Sequence, residues 1–497
     1  MSFREMMGSG EPLRRSVLFL VGVAFAGAVV GKGIRYLIQF VIARGLGPEA
    51  VGFFAMGLVV VKIGSRFAQA GLDKAAEKYV SIHEGDGESR TVTGVVLTTV
   101  GYSIAFGGVT VVVLVALTEL SIGFFDAYRS VIRSFVLAIP LLALMEIGMH
   151  ATRGFKETKY SVYTREFIQS GVALGCIAVA AFVFTSLQLV IYAYVLSLAV
   201  GVVAVGYYLY RLGAFESIGN PNFQSREILL FSLPLLFAGV TSYAASWVDI
   251  LILGVFASPR AVGVYQIAFQ TSMLITIVLN ATNVIFPSII AESYHQRDTE
   301  RLDAFYISIT KWTAYLTCLG AAFVVVFAEE IMRLFGPAFS AGAVALSVLA
   351  VGQATVAATG PGGNVLKMTN YERIELYNAA GMLFVNAALN VWLIQLYGVL
   401  GAAIATAFSL TLLNVVRLVE VRYFVGPTPY NRSYWKGGLS LVPAVATFVA
   451  FSKAFGGPLW IGVAAVTGTI AFGTTITLLG LEDGDRRLLE SIGERAG

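Results

Sequence analysis

Apolar residues run in long blocks along this chain, separated by short stretches that are polar or rich in glycine and proline. A block of about 20 mostly apolar residues is long enough to cross a bilayer as a helix. The pattern predicts fourteen such segments: 16–43, 48–71, 92–117, 129–152, 161–184, 187–210, 227–255, 260–289, 306–328, 340–366, 375–396, 398–421, 434–453 and 457–480. In lipid a backbone amide must find its partner inside its own segment, so helices are expected throughout. Tight breaks such as "TSLQ" (Thr185–Gln188) and "QLYGV" (Gln395–Val399) suit antiparallel neighbours. The stretch "AATGPGG" (Ala357–Gly363) predicts a kink or hinge inside the tenth segment, where backbone would line a cavity. The fold class expected is an all-α polytopic membrane protein.

The blocks contain an internal echo. "LGPEAVGFF" (Leu46–Phe54) matches "ASPRAVGVY" (Ala257–Tyr265) at an offset of 211 residues, and the same offset lays the sixth segment on the twelfth. Duplication of a six-helix unit follows. An even number of spans inserts both copies the same way up, with a site expected between them near the bilayer midplane. The organisation predicted is an N-terminal lobe at 1–215, a C-terminal lobe at 216–425, and two additional spans with a tail at 426–497. The run "LEDGDRRLLESIGERAG" (Leu481–Gly497) reads as a solvated tail.

Composition strengthens the membrane reading. The 497 residues are 57% hydrophobic and 13% charged, where a soluble domain carries about 25% charged residues. No cleavable signal peptide is evident, because the polar start leads into a span of full length. Cys176 and Cys318 lie in apolar runs and read as small hydrophobes. His83, His150 and His295 are scattered without metal-ligand spacing. With the N-terminus inside, the cytoplasmic segments hold 21 of the 34 lysines and arginines and the outer loops five. That asymmetry places both termini in the cytoplasm of a multi-pass cell-membrane protein. Loops of about twenty residues or fewer leave no room for a catalytic lobe, and no phosphate-binding G-x-x-x-x-G-K-[ST] stretch occurs.

The net charge of +4 matters less than where the charges sit. Lys32, Arg35 and Gln39 on the first span, and Lys62, Arg66 and Gln69 on the second, each fall within a roughly 60° arc of a helix turning about 100° per residue. Ser65 lies beside the second stripe. A cation at mid-span costs roughly 2.5–3.5 kcal/mol if it faces lipid. These four must face water, partners or an anionic ligand. The second copy of the repeat carries Tyr243, Ser246, Met273 and Ile277 at the equivalent positions. Scaffold charges would recur in both copies, so the difference points to a ligand. Three intramembrane carboxylates, Glu146, Glu166 and Asp249, could pair with the cations, yet three against four leaves a positive excess.

Three stretches carry a family resemblance: "RYLIQFVIARGLGPEAVGFF" (Arg35–Phe54), "MHATRGFKETKYSVYTREFIQSGV" (Met149–Val172) and "WVDILILGVFASPRAVGVYQIA" (Trp247–Ala268). With fourteen spans in six-plus-six-plus-two form, the chain resembles polysaccharide-export flippases of the Wzx-like type. Their superfamily also holds multidrug/cation antiporters and peptidoglycan lipid flippases. The resemblance implies transfer of an oligosaccharide on a polyprenyl (pyro)phosphate carrier from the inner to the outer leaflet, as two lobes rock around a central cavity. It implies no enzyme chemistry, no cofactor and no nucleic acid. The expected partners are the lipid-linked oligosaccharide, the bilayer and other polysaccharide-assembly membrane proteins, with the chain itself a monomer.

In that frame Lys32, Arg35, Lys62 and Arg66 are the expected headgroup ligands, because arginine and lysine suit phosphate in a low dielectric. Gln39, Gln69, Asn280 and Asn283 are expected to line the cavity, and Asn280, Asn283 and Gln353 serve equally as interhelical hydrogen-bonding groups. Asp249, Glu146 and Glu166 are expected either to carry a coupling Na⁺ or H⁺ or to neutralise cations, with Asp249 paired to the first span. Arg133 and Arg417 lie near span ends and are expected to snorkel. A cation-coupled multidrug antiporter is the alternative, but its cavity should be rich in carboxylates. A membrane-embedded glycan ligase or polymerase would need a large outer loop.

Overall fold

The computed structural model describes residues 10–120 and 123–480. The tail expected at Leu481–Gly497 lies outside them. Every regular element among the described residues is helical. Eleven helices there are long and apolar enough to cross a membrane. A twelfth is counted when Asp126–Phe135 and Ala138–Gly154, bent by 48°, are taken as one span. The chain is an all-α multi-pass membrane protein.

The count falls below fourteen for two local reasons. The first two expected spans are fused into α1 (Gly10–Gln69), which breaks at Gly47 with φ 82° and ψ −176°. That left-handed φ favours glycine. Pro48 follows, where a new helix needs no N–H from its first residue. The eighth expected span is split into Pro259–Leu274 and Ile277–His295. At the second copy of the repeat, Ser258 caps the helix by accepting from Ala261 N at 3.3 Å, and Pro259 opens it. Both copies thus start a helix on the same proline. The predicted break at "AATGPGG" is present: one helix ends at Thr359, Gly360 adopts φ 77°, and Gly362–Met368 begins a new one.

Packing divides the chain into two compact units, Met1–Gly254 and Val255–Gly497. In the first, α2 (Leu72–Gly85) follows α1, and α3 is Ser89–Glu119, α4 Gly123–Phe135 and α5 Ala138–Gly154. Thr158–Val162 (α6) runs into a π-helical stretch, Tyr163–Gln169, and then α7 (Ser170–Phe182). Next come α8 (Leu187–Arg211), α9 (Ser225–Ser246) and α10 (Val248–Phe256). Helix α1 packs on α3, α5 and α7, and α8 packs on α5 and α7.

The unit boundary lies beyond the expected lobe boundary at 215/216, because α9 packs on α1, α2 and α3. Glycines permit that approach. A Cβ on Gly71 or Gly94 would overlap the carbonyl of Ser232 or Asn222. Asn222 is also tied down, its N–H donating to Arg90 O at 3.0 Å and its Nδ2 to Thr91 Oγ1 at 3.2 Å. Such small-residue contacts matter here because lipid supplies no hydrophobic drive between helices. Large apolar side chains such as Val112, Val203 and Phe237 remain exposed, as is expected of a protein whose solvent is largely lipid.

The second unit is built separately on α13 (Thr299–Val326), α15 (Ala343–Thr359) and α18 (Val399–Glu420), with α15 packed on both others. The expected appendage, Trp435–Ala454 and Pro458–Leu478, forms an adjacent pair docked on α13. Gly437 lies under the ring of Tyr315 there, and Tyr315 Oη donates to Tyr434 O at 3.0 Å.

Candidate functional site

The first unit contains a half-open cavity of about 270 Å³. Its charged lining is Arg35, Lys62, Arg66 and Arg165 against Glu146 and Glu166, an excess of two positive charges. Ser65, Gln69, Gln169, Tyr194 and Tyr243 add polar groups. Helix α1 supplies three of these cations and the π-helical stretch one.

Two neighbouring residues of the π-helical stretch reach the same space. Arg165 and Glu166 are adjacent in sequence and would point about 100° apart on a regular helix. They line one cavity without pairing to each other. Glu166 instead accepts from Arg35 Nη1 at 2.6 Å, and Arg165 is ion-paired with Glu146 on α5. A π-helical turn inside a helix is frequently a functional feature. Gly31 is essential to this geometry, since a Cβ there would run into the Glu166 carboxylate.

Arg66 is held by several groups. Its Nη1 donates to Gln69 Oε1 at 2.9 Å and stands 3.6 Å from Asp73 Oδ2, while its guanidinium lies 4.2 Å from the centre of the Tyr243 ring. The ammonium of Lys62 lies 4.2 Å from the centre of the Trp247 ring. Among the described residues Lys62 has no carboxylate partner. An aromatic face attracts a cation by about 0.5–2 kcal/mol, well below what a full counter-ion supplies in a low dielectric. The cavity is therefore disposed to take an anion.

The sequence-predicted residues separate as follows. Arg35, Lys62, Arg66, Gln69, Glu146 and Glu166 meet in the cavity. Lys32 is exposed and does not line it, standing one turn along α1 from Arg35. Gln39 is buried outside the cavity lining, its Oε1 without a hydrogen-bond partner among the described residues. Asn280 and Asn283 belong to the second unit, on Ile277–His295. Asn280 donates to Thr276 Oγ1 at 3.2 Å and Asn283 accepts from Asn364 Nδ2 at 3.0 Å. Gln353 Nε2 lies 3.4 Å from Met273 Sδ.

Glu166 holds Arg35, and Asp249 lies on α10. It is buried in the first turn of α10, where its Oδ1 accepts from Ile250 N at 2.8 Å. A carboxylate there is favoured by the positive end of the helix. Arg417 does not snorkel: it forms a two-pronged ion pair with Glu375, Nε to Oε2 at 2.9 Å, and both side chains are largely buried. Arg133 reaches Glu119 and Thr118 at the end of α3. Arg165, adjacent to Glu166 in span five, is open to sequence reading, whereas Tyr243 and Trp247 are site residues that no stripe reveals. Tyr243 occupies the repeat position of Lys32, and only packing of α9 on the first unit turns it toward Arg66. Cys176 and Cys318 are free thiols. Among the described residues no group of three or more His, Cys, Asp or Glu side chains could hold a metal ion.

A polytopic helical protein with buried charges around an internal cavity is the class this fold and site define. The chain belongs to the polysaccharide biosynthesis protein family, whose profile matches residues 20–291, more than half its length. A second profile, MatE, matches residues 234–392. Among curated proteins, a probable low-salt glycan biosynthesis flippase of Haloferax volcanii, Agl15, is 26% identical over 473 residues, covering 92% of this chain and 94% of the relative. Among solved structures, the lipid II flippase MurJ in an inward closed conformation aligns with TM-score 0.69 at 13% identity, over 93% of this chain and 98% of that one. An inward-facing multidrug resistance transporter of the MATE family aligns with TM-score 0.66 at 16% identity, over 80% and 97%. At these identities the two structures speak for the fold alone.

Proposed function

We propose that this chain is a flippase for a saccharide linked to a polyprenyl phosphate or pyrophosphate, moving it from the inner to the outer leaflet of the cell membrane. The observation that carries this reading is the cavity's surplus of cations, above all Lys62, whose ammonium stands over the Trp247 ring. A phosphate or pyrophosphate head supplies the missing negative charge, and arginine offers it two parallel hydrogen bonds. The sugar crosses in the polar interior while the prenyl tail stays in lipid. The relative in Haloferax volcanii named as a glycan biosynthesis flippase supports the substrate class.

Transport by alternating access, with the lobes closing the cavity on one side at a time, belongs to the same proposal. So do a Na⁺ or H⁺ coupling ion, the cytoplasmic termini, a monomeric state and contacts with other polysaccharide-assembly membrane proteins. Moving a lipid across a bilayer needs no bond to be made or broken, so the chain acts as a transporter and not as an enzyme. The MatE match favours a multidrug antiporter as the second reading. Four cations against two carboxylates make the cavity a poor host for a cationic drug. Depletion of the chain in its native cell decides between them. The flippase reading expects a lipid-linked saccharide to accumulate in the inner leaflet. Unchanged lipid-linked saccharides with new sensitivity to cationic drugs would favour the antiporter.

A further inference from the structure

A chain of ionisable groups leads away from the cavity on its Arg66 side. A second cavity, of about 220 Å³, shares Arg66 and Gln69 with the first and continues along Asp73 and Lys74. Asp73 is buried, with its side chain 7% exposed. Its Oδ2 stands 3.6 Å from Arg66 Nη1 and 3.7 Å from His150 Nε2. One carboxylate oxygen therefore faces two rival partners, and neither distance is that of a made hydrogen bond. His150 is nearly as buried, and its other nitrogen, Nδ1, lies 2.6 Å from Glu77 Oε2. Glu77 is 38% exposed and opens the chain to solvent.

The packing that builds this arrangement is close. A Cβ on Gly154 would stand 3.0 Å from the backbone oxygen of Glu77, so α2 and α5 touch where the histidine bridges them. Asp73, Glu77 and Lys74 face the imidazole from α2, and Arg153 from its own helix; Arg66 joins from α1 through Asp73. Glu77 also registers the contact. Partial burial works to raise its carboxyl, and the hydrogen bond and charge of His150, with Lys74 and Arg153 nearby, more than offset this and leave it below the usual range.

We infer that His150 is a proton-binding site linked to the anion cavity through the shared carboxylate of Asp73. The inference rests on the anion-binding reading proposed above. A neutral imidazole can donate to one carboxylate only, so when Nδ1 donates to Glu77, Nε2 turns a lone pair toward Asp73. Protonation makes both nitrogens donors, and Asp73 then has a second cation. Arg66 is released to engage an anionic headgroup. An anion that takes Arg66 leaves Asp73 to the imidazolium in return. Anion binding and proton uptake favour one another, and the linkage is reciprocal. Glu77 lies on the side that loop charges assign to the cytoplasm, so the proton arrives from the face where the substrate is loaded.

The test uses the full chain in lipid nanodiscs and P1,P2-dimethyl pyrophosphate, a diester whose two charges do not titrate across the histidine range. Binding is measured calorimetrically between about pH 5.5 and 8. Affinity for the wild type should rise as pH falls, by about 5- to 150-fold in all, with proton uptake on binding at intermediate pH. His150→Gln should bind with an affinity that no longer changes with pH. Glu77→Gln removes an anion that favours imidazolium, so it should keep the pH dependence and shift its midpoint downward. Wild-type binding that is independent of pH overturns the proton site and leaves the anion site standing. So does a pH dependence that survives in His150→Gln. No binding at any pH overturns both.

Discussion

Arg35 and Glu166 form a 2.6 Å ion pair between α1 and the π-helical stretch 163–169, seated over Gly31. The pair lies at one wall of the cationic cavity and orders a guanidinium that a bare helix surface would leave mobile.

Because Glu166 rests on Gly31, enlarging that glycine should damage the site more than its size suggests. Gly31→Val should lower stability by about 1–3 kcal/mol, as overpacking typically does. Gly33 has nothing within 4 Å of a built Cβ. Gly33→Ala should therefore be neutral or stabilising by up to about 1 kcal/mol. Melting temperatures of the two variants in the same detergent make the comparison, and equal losses would contradict the packing described.

The choice of Glu166 over Asp249 as partner of Arg35 is open to a double-mutant cycle. Arg35→Gln combined with Glu166→Gln should show a coupling above about 0.5 kcal/mol in stability, modest because the Arg35 side chain is 43% exposed. Arg35→Gln combined with Asp249→Asn should be additive within about 0.3–0.5 kcal/mol. Coupling in the second cycle and not in the first would reverse the assignment.

In the second unit, Arg417 and Glu375 are buried together, with side chains 18% and 11% exposed. Glu375→Gln leaves a buried guanidinium unpaired and should cost about 3–5 kcal/mol. The double change Arg417→Met, Glu375→Leu removes both charges and should recover most of that loss. Thermal unfolding of the three proteins distinguishes a structural pair, which shows recovery, from a transport residue, whose double variant melts normally yet fails in export.

Much of the architecture could be read from residue patterns. Every predicted segment falls on helix because twenty apolar residues have few other options in lipid, and "AATGPGG" announced its own break. Within the site, the stripes on the first two spans identified Arg35, Lys62, Arg66 and Gln69, since their spacing is a property of one helix. What stayed hidden depends on contacts between helices. Lys32 shares the arc of Arg35 but not its depth. The partners of Arg35 and Arg165, Glu166 and Glu146, are set by contacts between helices, at a π-helical stretch that no spacing rule signals. The packing of α9 on the first unit, which brings Tyr243 and Trp247 over two cations, follows from close approach at Gly71 and Gly94.

The cavity's role in transport is tested most directly by reconstituting the chain in vesicles with a short-chain prenyl pyrophosphate disaccharide and following exposure of the sugar to an external glycosidase. Wild type should transfer the lipid. Lys62→Ala and Arg66→Ala should insert normally and transfer it roughly 10- to 100-fold more slowly, the equivalent of about 1.5–3 kcal/mol for lost hydrogen bonds to a charged group. Arg66→Lys should recover part of the rate, because lysine keeps the charge without the fork of donors. Transfer at the wild-type rate by both alanine variants would contradict a headgroup site in this cavity.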